Sequence, residues 1–406
     1  MSEEKKLIIN CNFCDARNVR EETLKDYEQI VLNTGILAVS EAGKEMLAHC
    51  PLICNANLIL QTEEAVHAIT QDGSYTISGR SEFPEKSVLA VNGNLLIKEG
   101  TKKETLEDLT AVSVNGCLTI PESLANVMTN LSVNGDIRVY PDDCTVLDSV
   151  FTPDRFFVIR AREGMRYFVG EQVRLTREGL DVKALTDKGI HFVTPEVLLY
   201  EEGIEDGLKL FDETVRIKTI PSGLSYVEGD IELNPELLDQ FGTRLYVDGS
   251  LTISMENGNL LENVEMLVVT DTIFLPAVWK KAFGKVPAEF GKLEVVKGKR
   301  LRDRGCVILD NALLNECLQG VTIRDCGVLK ISRTVSSEEI LKLVDICDCG
   351  TVVCSQEQRS AVEMVSRDIG SVRIYNEDEE EEKNEAGTLA GKNGKIRVMN
   401  VKQYIL

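Results

Sequence analysis

The chain has 406 residues, 43% of them hydrophobic, with twelve cysteines and a formal net charge of −21 at pH 7. This length fits two or three domains or one long repeat array, with ample apolar material for a core. The charge argues against nucleic acid and anionic membrane as partners, because phosphates repel such a surface, and no run reaches the ~18 apolar residues that cross a bilayer.

In chain order, Met1-Ser-Glu-Glu-Lys-Lys6 lacks the apolar region and cleavage site of an export signal. The expected location is the cytoplasm of a bacterial cell, with reduced thiols. Residues 1–34 read as an N-terminal capping coil. Strand alternation continues through Leu52-Ile-Cys-Asn-Ala-Asn-Leu-Ile-Leu60. Three segments then read alike: Leu89-Ala-Val-Asn-Gly-Asn-Leu-Leu-Ile97, Val112-Ser-Val-Asn-Gly-Cys-Leu-Thr-Ile120 and Leu131-Ser-Val-Asn-Gly-Asp-Ile-Arg-Val139. Their glycines, Gly93, Gly116 and Gly135, serve as register marks. The mark returns at Gly229 and Gly249, and again at Gly327, Gly350 and Gly370, with weaker copies around Gly35, Ala56 and Gly73.

Marks fall roughly 16–24 residues apart, inside the range of strand-based repeats. Residues 35–376 are therefore expected to form an α/β repeat solenoid of short stacked strands joined by short helices or turns, about 20 residues per coil. The period of two puts one strand face into a core, which a single strand cannot bury alone. The glycine is expected in the inward register, where a missing side chain permits a bend or a close approach. Helices are expected at Pro121–Met128, Pro235–Phe241, Ser336–Val344 and Ser355–Val365, which open on proline or serine with an acid in the first turn. The six carboxylates of Glu377–Glu382 repel one another, so 377–392 reads as an acidic flexible insertion. Residues 393–406 read as a last strand and C-terminal cap.

Alternating Leu/Val/Ile strands followed by Pro-Glu-x-Leu turns resemble a divergent leucine-rich-repeat-type solenoid over most of the chain. The resemblance implies strands on a concave face and helices on a convex one. The sequence departs from that family because no asparagine recurs after the strand; Asn92, Asn115 and Asn134 precede the glycine instead. The Val-x-Gly-Asp-Ile-x-Val phrasing is also similar to bactofilins, a likeness that implies end-to-end polymerisation of an all-β helix.

Candidate chemistry is sparse. Cys11, Cys14, Cys50 and Cys54 would supply four thiolates to zinc if they met, although Cys11 and Cys54 also fit as inward strand residues. Cys326, Cys347, Cys349 and Cys354 form a second set, in which Cys326 and Cys349 share an Asp-Cys-Gly phrase and are expected to stack outward. Neither set is assigned a metal or redox role. His49, His67 and His191 have no triad signature around them. A basic stretch stands against the acidic background: Lys280, Lys281, Lys297, Lys299, Arg300 and Arg302, close to Trp279, the only tryptophan. It reads as a solvated face or, alternatively, as a contact for an anion or an acidic partner with Trp279 as anchor. No cofactor is expected. The sequence points to a non-enzymatic protein–protein interaction scaffold, with a self-assembling structural protein or a β-helical carbohydrate-active enzyme as alternatives.

Overall fold

A computed structural model of the protein describes residues 6–19, 27–177, 179–375 and 396–406. The chain is 45% strand and 21% helix, with parallel strands in many small sheets and a few short helices between them. No described helix is long and apolar enough to cross a membrane. The described residues divide into two compact units. One takes 6–199, 203–218 and 396–406; the other takes 200–202 and 219–375. The acidic run Glu377–Glu382 and the residues before Ile396 lie outside the described residues.

In the first unit, β1 (Lys6–Ala16), β2 (Gln29–Val39) and β3 (Leu52–Gln61) pair in parallel. Residue 34 lies inside β2, so 1–34 is not a separate capping coil. Leu7 and Ile9 on β1 and Ile30 and Leu32 on β2 alternate into one core, which the helix Glu41–Ala48 closes. Ser40 caps that helix, its hydroxyl accepting from the Gly43 amide. The C-terminal strand, Ile396–Ile405, pairs in parallel with β1, setting Asn400 opposite Asn10 and Ile405 opposite Asp15. It was expected to continue the array as a last coil; instead the end of the chain adds a strand beside its beginning. Leu406 is buried in the same core and its amide donates to Asp15 O.

The next tiers each carry two short strands around a corner. β4 (His67–Asp72), β6 (Ser87–Asn92), β8 (Leu109–Val114) and β10 (Leu131–Val133) form one parallel sheet. β5 (Tyr75–Ile77), β7 (Leu95–Ile97), β9 (Leu118–Pro121) and β11 (Ile137–Tyr140) form the other. Leu89, Leu95, Val112 and Leu118 fill the core between them. The glycines sit at the corners rather than in an inward strand position. Gly93 has φ +155, and a Cβ there would lie 2.3 Å from Gly73 O. One on Gly116 would lie 2.5 Å from Gly93 O, so corner stacks on corner only without side chains. The helix expected at Pro121–Met128 is a single 3-10 turn, Glu122–Leu124, because the chain must return to Leu131 after burying Leu124. Further parallel tiers follow, such as Arg166–Phe168 against His191–Val193 and Gln172–Leu175 against Glu196–Tyr200.

In the second unit the corner changes chemistry. Strands Lys299–Leu301, Val321–Arg324, Val344–Cys347 and Ser366–Arg367 make one sheet; Arg304–Leu309, Cys326–Ile331, Thr351–Cys354 and Ser371–Ile374 make its mate. Asp-x-Gly joins them, with Asp303, Asp325, Asp348 and Asp368 all at φ between +52 and +55. Aspartate is among the few residues that tolerate this left-handed region. Helices occur as expected at Pro235–Phe241 and Ser337–Leu343, whereas Arg359–Val365 starts later than its serine. Ser355 instead exchanges hydrogen bonds with Gln358 in the preceding turn. Ser336 and Glu339 form a reciprocal capping box. Ser336→Ala is expected to destabilise this unit by about 1 kcal/mol, read as a lower urea midpoint of Trp279 fluorescence.

Candidate functional site

The first unit holds a cleft of about 730 Å³ between the long-strand sheet and the sheet of β4, β6, β8 and β10. Its walls are two rows of asparagines. On the long strands, in-register pairing places Asn400, Asn10, Asn33 and Asn55 side by side. The Asn10 amide donates to Asn400 Oδ1 at 2.7 Å, Asn33 to Asn10 at 2.7 Å and Asn55 to Asn33 at 2.8 Å. On the other wall Asn115 donates to Asn92 Oδ1 at 2.9 Å and Asn134 to Asn115 at 3.0 Å. Asp72 occupies the first rung of that row, opposite Asn92.

The walls converge where Phe13, Ile36 and Ala38 pack on Val88, Ala90 and Ala111. Gly35 allows that approach, since a Cβ there would stand 2.8 Å from Asn12 O and 3.4 Å from Ser113 Oγ. Among the described residues, Asp72 and Lys402 are the only acid and base in the lining, and they pair at 3.6 Å. The Asn12 amide donates to Asp72 at 2.9 Å and, with Lys402, holds its carboxyl below the usual range. The cleft is therefore close to neutral, within a strongly acidic chain.

The sequence reading missed this site because it aligned the chain on glycines. Asn10, Asn33 and Asn55 recur at the spacing of the glycine marks, and aligning on asparagine would have exposed one row. The row Asn92, Asn115 and Asn134 was noted as a departure from the leucine-rich-repeat pattern; the structure makes it a hydrogen-bonded ladder at the corner.

The residues of the basic stretch take different partners. Trp279 turns away from the arginines: its Nε1 donates to Met255 O at 3.1 Å and its ring packs over Gly258. The aromatic beside the arginines is Phe274, whose ring centroid lies 3.4 Å from the Arg300 guanidinium. Burial pushes the Arg300 pKa down, with Arg302 and Arg324 adding to the effect. Lys297 Nζ donates to Leu341 O and Val344 O, at the end of the helix Ser337–Leu343. Arg302 reaches Asp230 and Asp303. Lys280, Lys281 and Lys299 are exposed.

The cysteines behave mainly as core residues. Cys326 and Cys349 are buried in the second unit's core, which corrects the expected outward stacking; the αL aspartate before each turns the side chain inward. Burial raises the Cys347 and Cys349 thiols to about 11, so they are protonated at neutral pH and poor nucleophiles. Cys11, Cys14, Cys50 and Cys54 do not converge on a ligand set. Cys50 instead donates to Met46 O, while a hydrogen bond between Cys14 and Cys11, together with burial, pushes the Cys14 thiol up. Among the described residues, three ligand atoms meet only at Cys347, Asp348 and Asp368. There Arg324 already donates to Asp348 at 2.9 Å and gives that carboxylate a counter-charge. His191 pairs with Asp212 at 3.1 Å, while His49 caps a helix end and His67 begins β4.

The chain was compared with protein-family models, with curated proteins and with solved structures, and none of them matches it.

Proposed function

We propose that this protein is a non-catalytic interaction scaffold whose tiers stack as a solenoid and present strand surfaces to a partner protein in the cytoplasm. The observation that supports this reading is the outer edge of the C-terminal strand. That strand pairs with β1 on one side and, among the described residues, ends the sheet on the other. An open edge offers unpaired backbone donors and acceptors to an added strand. Val398 is 53% exposed and Ile405 75% exposed beside it, apolar contacts for the incoming segment. Lysines on an edge strand block such addition. Capture from the native cell with the intact chain should retain a partner that the double variant Val398→Lys, Val401→Lys loses. An identical bound set with both chains would overturn the reading.

Self-assembly is the second reading, and one feature favours it. Among the described residues the long-strand sheet is open at β3 as well, where Ile59 is 63% exposed. The asparagine row ends on Asn55 at that edge and on Asn400 at the other. Head-to-tail pairing of β3 with the C-terminal strand of another copy would continue both sheet and row, an interface that does not close on itself. Light scattering with electron microscopy should then show filaments that the lysine pair abolishes; a monodisperse monomer sinks the reading. The enzyme alternative has less support, since glycoside hydrolysis commonly uses two carboxyl groups and Asp72 is the one carboxylate among the described residues that line the cleft.

A further inference from the structure

We propose that the asparagine-walled cleft binds a neutral oligosaccharide in an extended conformation. This assigns the cleft a small ligand, on the face of a sheet whose edge strand, proposed above for a partner protein, contributes Asn400, Val401 and Lys402 to the lining.

The argument starts from hydrogen-bond inventory. A side-chain amide has two N–H donors and two acceptor lone pairs. Asn10, Asn33 and Asn115 each donate once and accept once within their rows. Each such rung keeps one donor and one acceptor for a ligand. A sugar hydroxyl both donates and accepts, so a row of hydroxyls complements a row of rungs in kind. The lining carries no net charge, because its one acid and one base pair with each other. A charged ligand would find no counter-charge there, whereas a neutral polyol needs none.

Spacing narrows the choice. Neighbouring rungs repeat at the strand separation of about 4.8 Å. That is close to the length of one pyranose residue in an extended β-linked chain, where neighbouring residues alternate their faces, so like-facing hydroxyls meet every second rung and stay in step. An extended peptide presents like-facing groups every second residue, about 6.8 Å apart, and falls out of step after one rung. The cleft volume of about 730 Å³ suits a ligand of a few sugar residues, since ligand sites span roughly 300–1,000 Å³. The amides also hold one another in place, so binding need not freeze their rotamers. None of the described lining residues is aromatic, and hydrogen bonds rather than ring stacking would carry recognition.

The test is calorimetric titration of the full chain with cellohexaose, chitohexaose and xylohexaose. Maltohexaose, a hexamer of galacturonic acid and an uncharged eight-residue peptide serve as comparisons. At least one neutral β-linked hexamer should bind, and more tightly than the comparisons. The double variant Asn33→Leu, Asn115→Leu should weaken that binding at least tenfold. Asn57→Arg keeps both rows intact and fills the cleft from its rim, so it should cause a similar loss with an unchanged melting temperature. Binding by none of the three hexamers, binding unaltered by both variants, or preferential binding of the peptide would each overturn the proposal. Partner capture is scored separately with Val398→Lys alone, because Val401 lines the cleft and Asn400 on the same strand ends one asparagine row; capture lost with that variant would survive any of these outcomes.

Discussion

Replacing Gly93 with valine is expected to destabilise the first unit by about 4 kcal/mol. Two costs combine. The residue sits at φ +155, a conformation that costs a β-branched residue on the order of 1–3 kcal/mol. Its Cβ would also stand 2.3 Å from Gly73 O and 2.5 Å from Gly73 C, and forcing tiers apart adds a further ~1–3 kcal/mol. Gly73→Ala is the informative comparison. Its φ of +83 carries strain, but nothing lies within 4 Å of the added methyl, so about 1 kcal/mol is expected. Gly93→Ala should fall between the two. Far-UV circular dichroism melts, with hydrogen exchange across Ser87–Ile97 and Leu109–Pro121, measure this directly. Equal effects at Gly73 and Gly93 would show that backbone strain alone matters and that the corners do not stack closely.

Arg324→Leu is expected to cost the second unit about 3 kcal/mol at neutral pH, in the range for breaking a partly buried ion pair. Its Nη1 donates to both oxygens of Glu294, at 2.7 and 2.8 Å, and Nη2 donates to Asp348 at 2.9 Å. Glu294 has only 12% of its side chain exposed, so removing its partner leaves a carboxylate poorly solvated; Asp348, at 38%, is screened by water and contributes less.

The pH dependence has a definite sign. Burial raises the Glu294 pKa, but Arg324 and then Lys292 outweigh it and hold the group below its ordinary value of 4.5. The Cys347 thiol and Arg324 likewise hold Asp348 below 3.8. Lowered carboxylates stabilise the fold above their unfolded pKa values, and that contribution is lost as pH falls through the folded values. In the variant Glu294 keeps its burial and loses its main cation, so its pKa should move up and acid should relieve the strain. The gap between native and variant chains should therefore be widest near pH 7 and shrink below about pH 4.5. Urea unfolding followed by Trp279 fluorescence reports this unit alone, since the chain has one tryptophan. A gap constant from pH 7 to pH 3.5 would remove Glu294 from the account.

Much of the local architecture was legible in the residues. Leu89-x-Val91 and Leu95-x-Ile97 announce two strand faces because the period of two is a local property. The Asn-Gly and Asp-x-Gly phrases carry the corner signal, because few residues enter left-handed backbone, but here they are read as inward strand positions. Ser336-x-x-Glu339 announces a helix start because both partners of its capping box are three residues apart. What those local signals cannot carry is which face meets which. The glycines were expected inside the strands and lie at their ends, because the clash that demands glycine comes from the tier before and not from the core. The C-terminal strand pairs with β1 rather than continuing the array, and nothing in Ile396–Ile405 names its neighbour. Trp279 and Arg300 are close in sequence yet choose different partners, Met255 and Phe274.

The asparagine cleft depends on both kinds of information. Strand register alone stacks Asn10 on Asn33 and Asn92 beside Asn115, since identical phrases in paired strands come side by side. Bringing the two rows onto one cleft required the close approach at Gly35, Ala90 and Ser113, a packing of one sheet on another between segments far apart in the chain. Periodicity determines a row; only the folding of sheet against sheet turns two rows into a site.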